Sequence, residues 1–146
     1  MNDPARLEPL ADYADTRETE AAQRLAASAR ALKTKEAEVA QLRGYLAEYR
    51  QRAELTDRST DAARWQNARA FLTKLSDAVA FHETELQKSI ERYRLEAERW
   101  RASHQRAVAL DKVLERAEQS ARAALQKRDQ AELDERALRQ SLRPRS

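Results

Sequence analysis

The sequence predicts an all-α protein in which two long helices pair as an antiparallel coiled-coil hairpin, the second helix being longer and overhanging at the end that carries the termini. Three observations predict this fold: apolar heptad repeats, a composition typical of long helices, and one interior turn. The chain of 146 residues is 36% charged and 41% hydrophobic but only 5% aromatic. Its one glycine is Gly44, and its prolines lie only near the ends. Such a composition favours long helices over a globule with a thick core.

The first helix is predicted from about residue 10 to residue 54, after a proline-containing start. An apolar residue recurs at every seventh position from Leu25 to Ala53, as a coiled-coil seam requires. Gly44 lies outside this seam, where it costs about 1 kcal/mol in helix propensity. The next residues, 55–60, are rich in Thr, Asp and Ser, and Ser59, Thr60 and Asp61 are all good N-caps. A loop this short makes the flanking helices antiparallel neighbours.

The second helix is predicted from about residue 61 to residue 138, followed by a basic tail at 139–146, all within a single coiled-coil domain. Every seventh residue along this helix is apolar: Trp65, Leu72, Val79, Leu86, Tyr93, Trp100, Ala107, Leu114 and Ala121. A second set of heptad positions lines the same seam at Ala68, Leu75, His82 and Ser89 and again from Leu110. Between Leu86 and Ala107 the better residues lie one position later, at Ile90, Ala97 and His104. The seam is therefore expected to widen there.

The pairing register is predicted from side-chain size. We expect Ser28 opposite Leu86, because a large side chain opposite a small one fills a seam to native density. The register one heptad away is disfavoured because it places Leu25 against Glu96. In the predicted register everything after Leu110 lacks a partner within the chain.

The apolar stripe nevertheless continues past this point. The unpaired stripe is predicted to be an interaction site, the seam of a dimer, or part of a disordered tail. Its residues are Leu110, Leu114, Ala117, Ala121 and Leu125.

A second candidate site lies near the turn. Phe71, Leu75, Ala78 and His82 are spaced by four, three and four residues, so they share one helix face, and Tyr45 of the first helix is expected nearby. The stripe is either a broadened seam that shields the core or a protein-binding patch. His82 is expected to be a seam histidine or a partner contact.

Composition and motifs exclude several function classes. The chain has no cysteine, so disulfides and thiolate metal sites are excluded. No apolar run is long enough to span a bilayer, and no signal peptide is expected. The net charge of +3 balances 28 basic against 25 acidic residues interleaved along the helices, which disfavours nucleic-acid binding. Without a phosphate loop, paired histidines or an activated nucleophile, we expect no enzyme activity, no cofactor and no metal.

The aromatic and charged positions around the turn resemble those of the FliJ family of the flagellar type III export apparatus. The positions that carry the resemblance are Leu42, Tyr45, Tyr49 and Arg50 before the turn, then Arg64, Trp65, Phe71, Leu75, Ala78 and His82. The resemblance implies a two-helix coiled coil, similar to the stalk of rotary ATPases, that takes part in flagellum biogenesis and motility. It covers nearly the whole chain but departs between Ser89 and Ser103 and at the C-terminus.

The resemblance also implies partners and a location. It implies binding to the hexameric export ATPase, to the cytoplasmic domain of the transmembrane export gate and to export chaperones. The stripe from Phe71 to His82 would contact the gate, and the end carrying the termini would face the ATPase. The protein would be cytoplasmic and peripherally associated with the inner membrane at the flagellar base. A stalk of an injectisome and an unrelated structural coiled-coil dimer remain alternatives.

Overall fold

A computed structural model describes residues 3–56 and 61–144 of the chain. It contains two helices, α1 (Pro4–Thr56, 53 residues) and α2 (Ala62–Ser141, 80 residues), and the described residues form no strand. The predicted all-α fold with a longer second helix is therefore confirmed. Of the predicted turn, Leu55 and Thr56 still belong to α1, and residues 57–60, including the cap candidates Ser59 and Thr60, lie outside the described residues.

Helix α1 begins earlier than the prolines suggested. Asp3 caps it, because the Ala5 amide donates to Asp3 Oδ1 at 3.1 Å. Pro4 takes the first helical position, where its missing N–H would have no partner anyway. Pro9 is accommodated inside the helix.

Helix α2 begins after the predicted cap Asp61. The Trp65 amide donates to the Asp61 carbonyl at 3.1 Å, and the Ala63 amide lies 3.5 Å from Asp61 Oδ1. The helix ends at Ser141, after which the Leu142 amide still donates to the Leu138 carbonyl at 3.2 Å. The predicted basic tail therefore begins inside the helix.

Contacts divide the chain into two compact units. The terminal unit combines the residues up to Glu20 with those from Arg101, and the central unit is Ala21–Trp100. In each unit, contacts between the helices run in antiparallel order.

The central unit shows that the predicted register is wrong by one heptad. Arg24 Nε lies 3.7 Å from Glu96 Oε2, Arg43 Nε donates to Glu83 Oε1 at 2.8 Å, and the Tyr49 and Phe71 rings are 4.9 Å apart. These contacts place Ser28 level with Tyr93 rather than with Leu86, and Ala21 level with Trp100. Large residues still face small ones, so side-chain size alone does not choose between the two registers.

Charge explains the register that the structure adopts. Glu96 occupies a seam position beside Leu25 and is only 4% exposed. Its Oε1 accepts from Arg99 Nη1 at 3.3 Å, while its Oε2 has the Arg24 ion pair but no hydrogen bond among the described residues. Since arginines from both helices reach this carboxylate, the pairing of Leu25 with Glu96 is tolerated, although burying a carboxylate is normally costly.

The seam keeps its heptad spacing through the stretch where a shift was predicted. Ser89, Glu96 and Ser103 remain at buried or half-buried positions. Ile90 and Ala97 are half-buried beside them, in keeping with a wider seam, whereas the His104 side chain is 47% exposed.

In the terminal unit, the overhang of α2 begins farther along the helix than predicted. His104 Nδ1 lies 2.6 Å from Glu18 Oε1, which fixes the pairing of the helices here. Ala11, Ala14, Ala107 and Ala117 are buried. Helix α1 therefore covers α2 as far as Ala117, and the overhang begins beyond that residue instead of after Leu110.

No helical stretch among the described residues is both long and apolar enough to cross a membrane. A Cβ built on Gly44 would meet no atom within 4 Å, and nothing in the structure explains the glycine.

We expect seam substitutions to dominate stability. Leu46 is 8% exposed, so Leu46→Ala should lower the free energy of unfolding by about 2–4 kcal/mol through lost burial and a residual cavity. Leu55, at 85% exposure, is the matched control, and Leu55→Ala should change stability by less than about 0.5 kcal/mol. Urea unfolding followed by circular dichroism measures both values. Equal losses in the two variants would contradict the assigned seam.

Candidate functional site

The central unit carries a cluster of aromatic and apolar side chains close to the turn. Phe71 is 47% exposed, and its ring meets Tyr49 of α1 edge to face, with centroids 4.9 Å apart and planes at 65°. Leu75, Ala78 and His82 follow along α2 and are half-buried. We call these five residues with Tyr45 the aromatic surface. Such a cluster on a chain that is 36% charged is a candidate protein-binding site.

An open groove of about 360 Å³ adjoins Phe71. It is lined by Tyr49, Arg52, Ala53, Asn67, Ala68, Phe71 and Leu72. The Arg52 guanidinium carbon lies 5.6 Å from the centre of the Tyr49 ring, and that of Arg69 lies 4.7 Å from the centre of the Trp65 ring. The groove therefore has an apolar floor, and arginines that stack on aromatic rings lie at or near its rim.

The structure separates the predicted stripe into two kinds of residue. Phe71 lies beside the seam, and its 47% exposure leaves about half of the residue available to a partner. Leu75 and His82 occupy seam positions, so each also contributes to the packing of the helices. Ala78 lies between these groups and is half-buried.

Tyr49, rather than Tyr45, is the α1 residue that contacts Phe71. Tyr45 is 45% exposed, and its hydroxyl accepts from Gln41 Nε2 at 3.0 Å on its own helix. Tyr49 is not among the site residues predicted from the sequence, because its heptad spacing from Leu42 assigns it to the seam of α1. The correct register would have identified it.

A lysine reaches His82 from α1. Lys35 Nζ lies 3.3 Å from His82 Nδ1 and donates to Glu38 Oε2 at 2.9 Å. This hydrogen bond and the lysine charge hold the pKa of Glu38 below its usual value. Sequence reasoning did not single out this charged cluster either.

In the terminal unit, the predicted ATPase stripe is only partly exposed. Leu110 and Leu114 are half-buried, and Ala117 is 3% exposed, because α1 packs on them. The expectation that these three residues lack a partner in the chain is therefore wrong. Ala121 and Leu125 are exposed, as are Leu133, Leu138 and Leu142 farther along the helix.

Acidic side chains from both helices meet in the terminal unit. Partial desolvation, and then the charges of Asp111, Glu18 and Asp12, raise the pKa of Asp15. A raised pKa means that the folded state binds the proton more tightly than the unfolded state, so ionised Asp15 destabilises the fold.

We expect Asp15→Asn to raise the melting temperature at pH 7, where the carboxylate is fully charged. This gain should shrink as the pH falls through the raised pKa, because the parent then protonates Asp15 and loses both the desolvation cost of the charge and the repulsion. Asp111→Asn should give a similar gain, and the double variant less than the sum. Asp129→Asn on the exposed end of α2 is the control. A gain from Asp15→Asn that is independent of pH would contradict the electrostatic cause.

The fold and these surfaces together define a class of protein. Two paired helices carry exposed apolar surfaces. This arrangement is typical of a coiled-coil protein that works through protein contacts.

Comparison with known families identifies the family within this class to which the chain belongs. The model of the family described as Flagellar FliJ protein matches residues 3–146, and the chain belongs to this family. No curated protein and no solved structure gives a significant match. The resemblance seen in the sequence is thus confirmed, and the chain is a flagellar export-related protein of a family of structural components.

Proposed function

We propose that this protein is a non-enzymatic component of the flagellar type III export apparatus that links the hexameric export ATPase to the transmembrane export gate and handles export chaperones. The observation that carries the proposal is an exposed aromatic cluster, Tyr49 with Phe71, in a member of the FliJ family. The protein would act at the cytoplasmic face of the inner membrane, at the flagellar base, as a peripheral component.

The gate would bind the aromatic surface. Phe71 supplies a large anchor that is already ordered by its contact with Tyr49, so its immobilisation costs little on binding. The adjoining groove can receive an apolar side chain of the partner. Aromatic anchors beside a pocket commonly carry most of the energy of an interface.

The ATPase would bind the exposed end of α2. Within the predicted stripe, Ala121 and Leu125 are available for contact, and Leu110, Leu114 and Ala117 act by holding α1 against α2. Leu133 and Leu138 are further exposed apolar residues in the same segment of α2. Chaperone handling rests on family membership alone.

Two substitutions test gate binding. Phe71→Ala removes the anchor and should cost about 2 kcal/mol or more of binding free energy, and Ala78→Asp introduces a charge into the same contact. Both variants should remain helical, melt within a few degrees of the parent and still bind the ATPase. Calorimetry against the cytoplasmic domain of the export gate measures the loss, and motility of a flagellated host should fall with it.

The matched control is Tyr13→Ala, since Tyr13 is an aromatic residue of α1 with 65% exposure and lies in the terminal unit. It should bind the gate domain as the parent does. Full gate affinity in either test variant would refute the assignment of the aromatic surface.

A charge on the exposed end of α2 tests ATPase binding. Leu125 is 56% exposed, so Leu125→Asp should leave folding intact while removing stimulation of the export ATPase. Leu55→Asp makes the same change at another exposed position and should stimulate normally. Unchanged ATP hydrolysis with Leu125→Asp would place the ATPase contact elsewhere.

A further inference from the structure

Lys35 occupies an unusual position for a lysine. It lies in the seam, and its side chain is only 23% exposed. Its ammonium group contacts two side chains, Glu38 Oε2 at 2.9 Å and His82 Nδ1 at 3.3 Å. His82 belongs to the aromatic surface, so Lys35 links the seam to the candidate binding site.

The chemistry of this contact fixes the proton on His82. An ammonium group has three donors and no acceptor, so Nδ1 of His82 must accept from Lys35. In a neutral imidazole one nitrogen accepts and the other carries the proton. The proton therefore lies on Nε2. Two further groups lie close to the ring: Glu38, whose Oε2 is 4.0 Å from Nδ1, and Phe81, whose ring meets the imidazole edge to face.

We propose that Lys35 is a positioning residue that sets the tautomer of His82, so that the aromatic surface offers the Nε2–H of His82 to an oxygen acceptor of its partner. The His82 side chain is 32% exposed, and within the described parts of the chain its hydrogen bond is made through Nδ1. The proposal rests on the proposed gate-binding function and specifies its chemistry.

The geometry also limits where the acceptor must lie. Phe71 and His82 are eleven residues apart on one helix, which is roughly 16 Å along the axis. A matching partner segment therefore presents an apolar side chain for Phe71 and, about three helical turns away, a carbonyl or carboxylate oxygen for His82. A lysine or arginine at that second position would leave two donors facing each other.

Nitrogen NMR of the full-length protein, at a pH where His82 is neutral, tests the tautomer directly. The parent should show the proton of His82 on Nε2. His104 is an internal reference, because its Nδ1 faces the Glu18 carboxylate at 2.6 Å and should carry the proton instead. Lys35→Arg keeps a donor and should preserve the Nε2–H form of His82.

Lys35→Met keeps the length of the side chain and removes the donor. Glu38 is then the nearest acceptor and should draw a proton onto Nδ1, and adding Glu38→Gln should restore the Nε2–H form. Lys33→Met, at an exposed position of α1, is the control for the lost charge. Against the gate domain, Lys35→Met should weaken binding on the order of tenfold, as expected for one misdirected hydrogen bond.

A parent His82 protonated on Nδ1, or a tautomer unchanged in Lys35→Met, would overturn the proposal. If His82 carries the proton on Nε2 in the parent and on Nδ1 in Lys35→Met, but the variant binds the gate domain as tightly as the parent, then His82 is not a donor to the gate. A different result would show that the gate-binding function itself is wrong: the Phe71→Ala variant would then bind the gate domain with full affinity.

Discussion

The pairing register of α1 and α2 is the constraint on which the surfaces depend. Apolar burial in the seam supplies the driving force for pairing, but it is not directional, and two registers one heptad apart both place large residues against small ones. Charged contacts distinguish them. Arg24 with Glu96 and Arg43 with Glu83 form across the helices only in the register observed. Exposed ion pairs contribute little to stability, yet the penalty for leaving the buried Glu96 without arginines is large.

The register determines which side chains reach a partner together. It brings Tyr49 against Phe71, places Lys35 beside His82 and extends the cover of α1 along α2 as far as Ala117. A shift of one heptad would move each of these α1 residues roughly 10 Å along α2. The aromatic surface is thus a property of the paired helices and not of the sequence of α2 alone, although four of its residues lie on α2.

The sequence predicts the fold class well because heptad spacing and the absence of proline between Pro9 and Pro144 are local signals that no tertiary contact overrides. Asp61 was recognised as a cap for the same reason. The register was missed because it depends on an arginine that reaches across the seam to Glu96, a contact that matching by side-chain size ignores. That one error also placed the start of the overhang at Leu110 instead of beyond Ala117. The predicted seam of α2 starts at Trp65, but that residue is 40% exposed; Leu72 is the first of these heptad positions that is half-buried, and Val79 is the first that is buried.

A pair of engineered disulfides tests most directly the claim that this register builds the binding surface. The chain has no cysteine, so an introduced pair forms the only possible intrachain link. Ser28→Cys with Tyr93→Cys matches the observed register, whereas Ser28→Cys with Leu86→Cys matches the register one heptad away, and both lie outside the aromatic surface. We expect the first pair to oxidise readily and the linked protein to bind the gate domain like the parent, whereas the second pair should oxidise poorly and, once linked, lose binding. Ready oxidation of the second pair with undiminished gate affinity would show that this register does not build the binding surface.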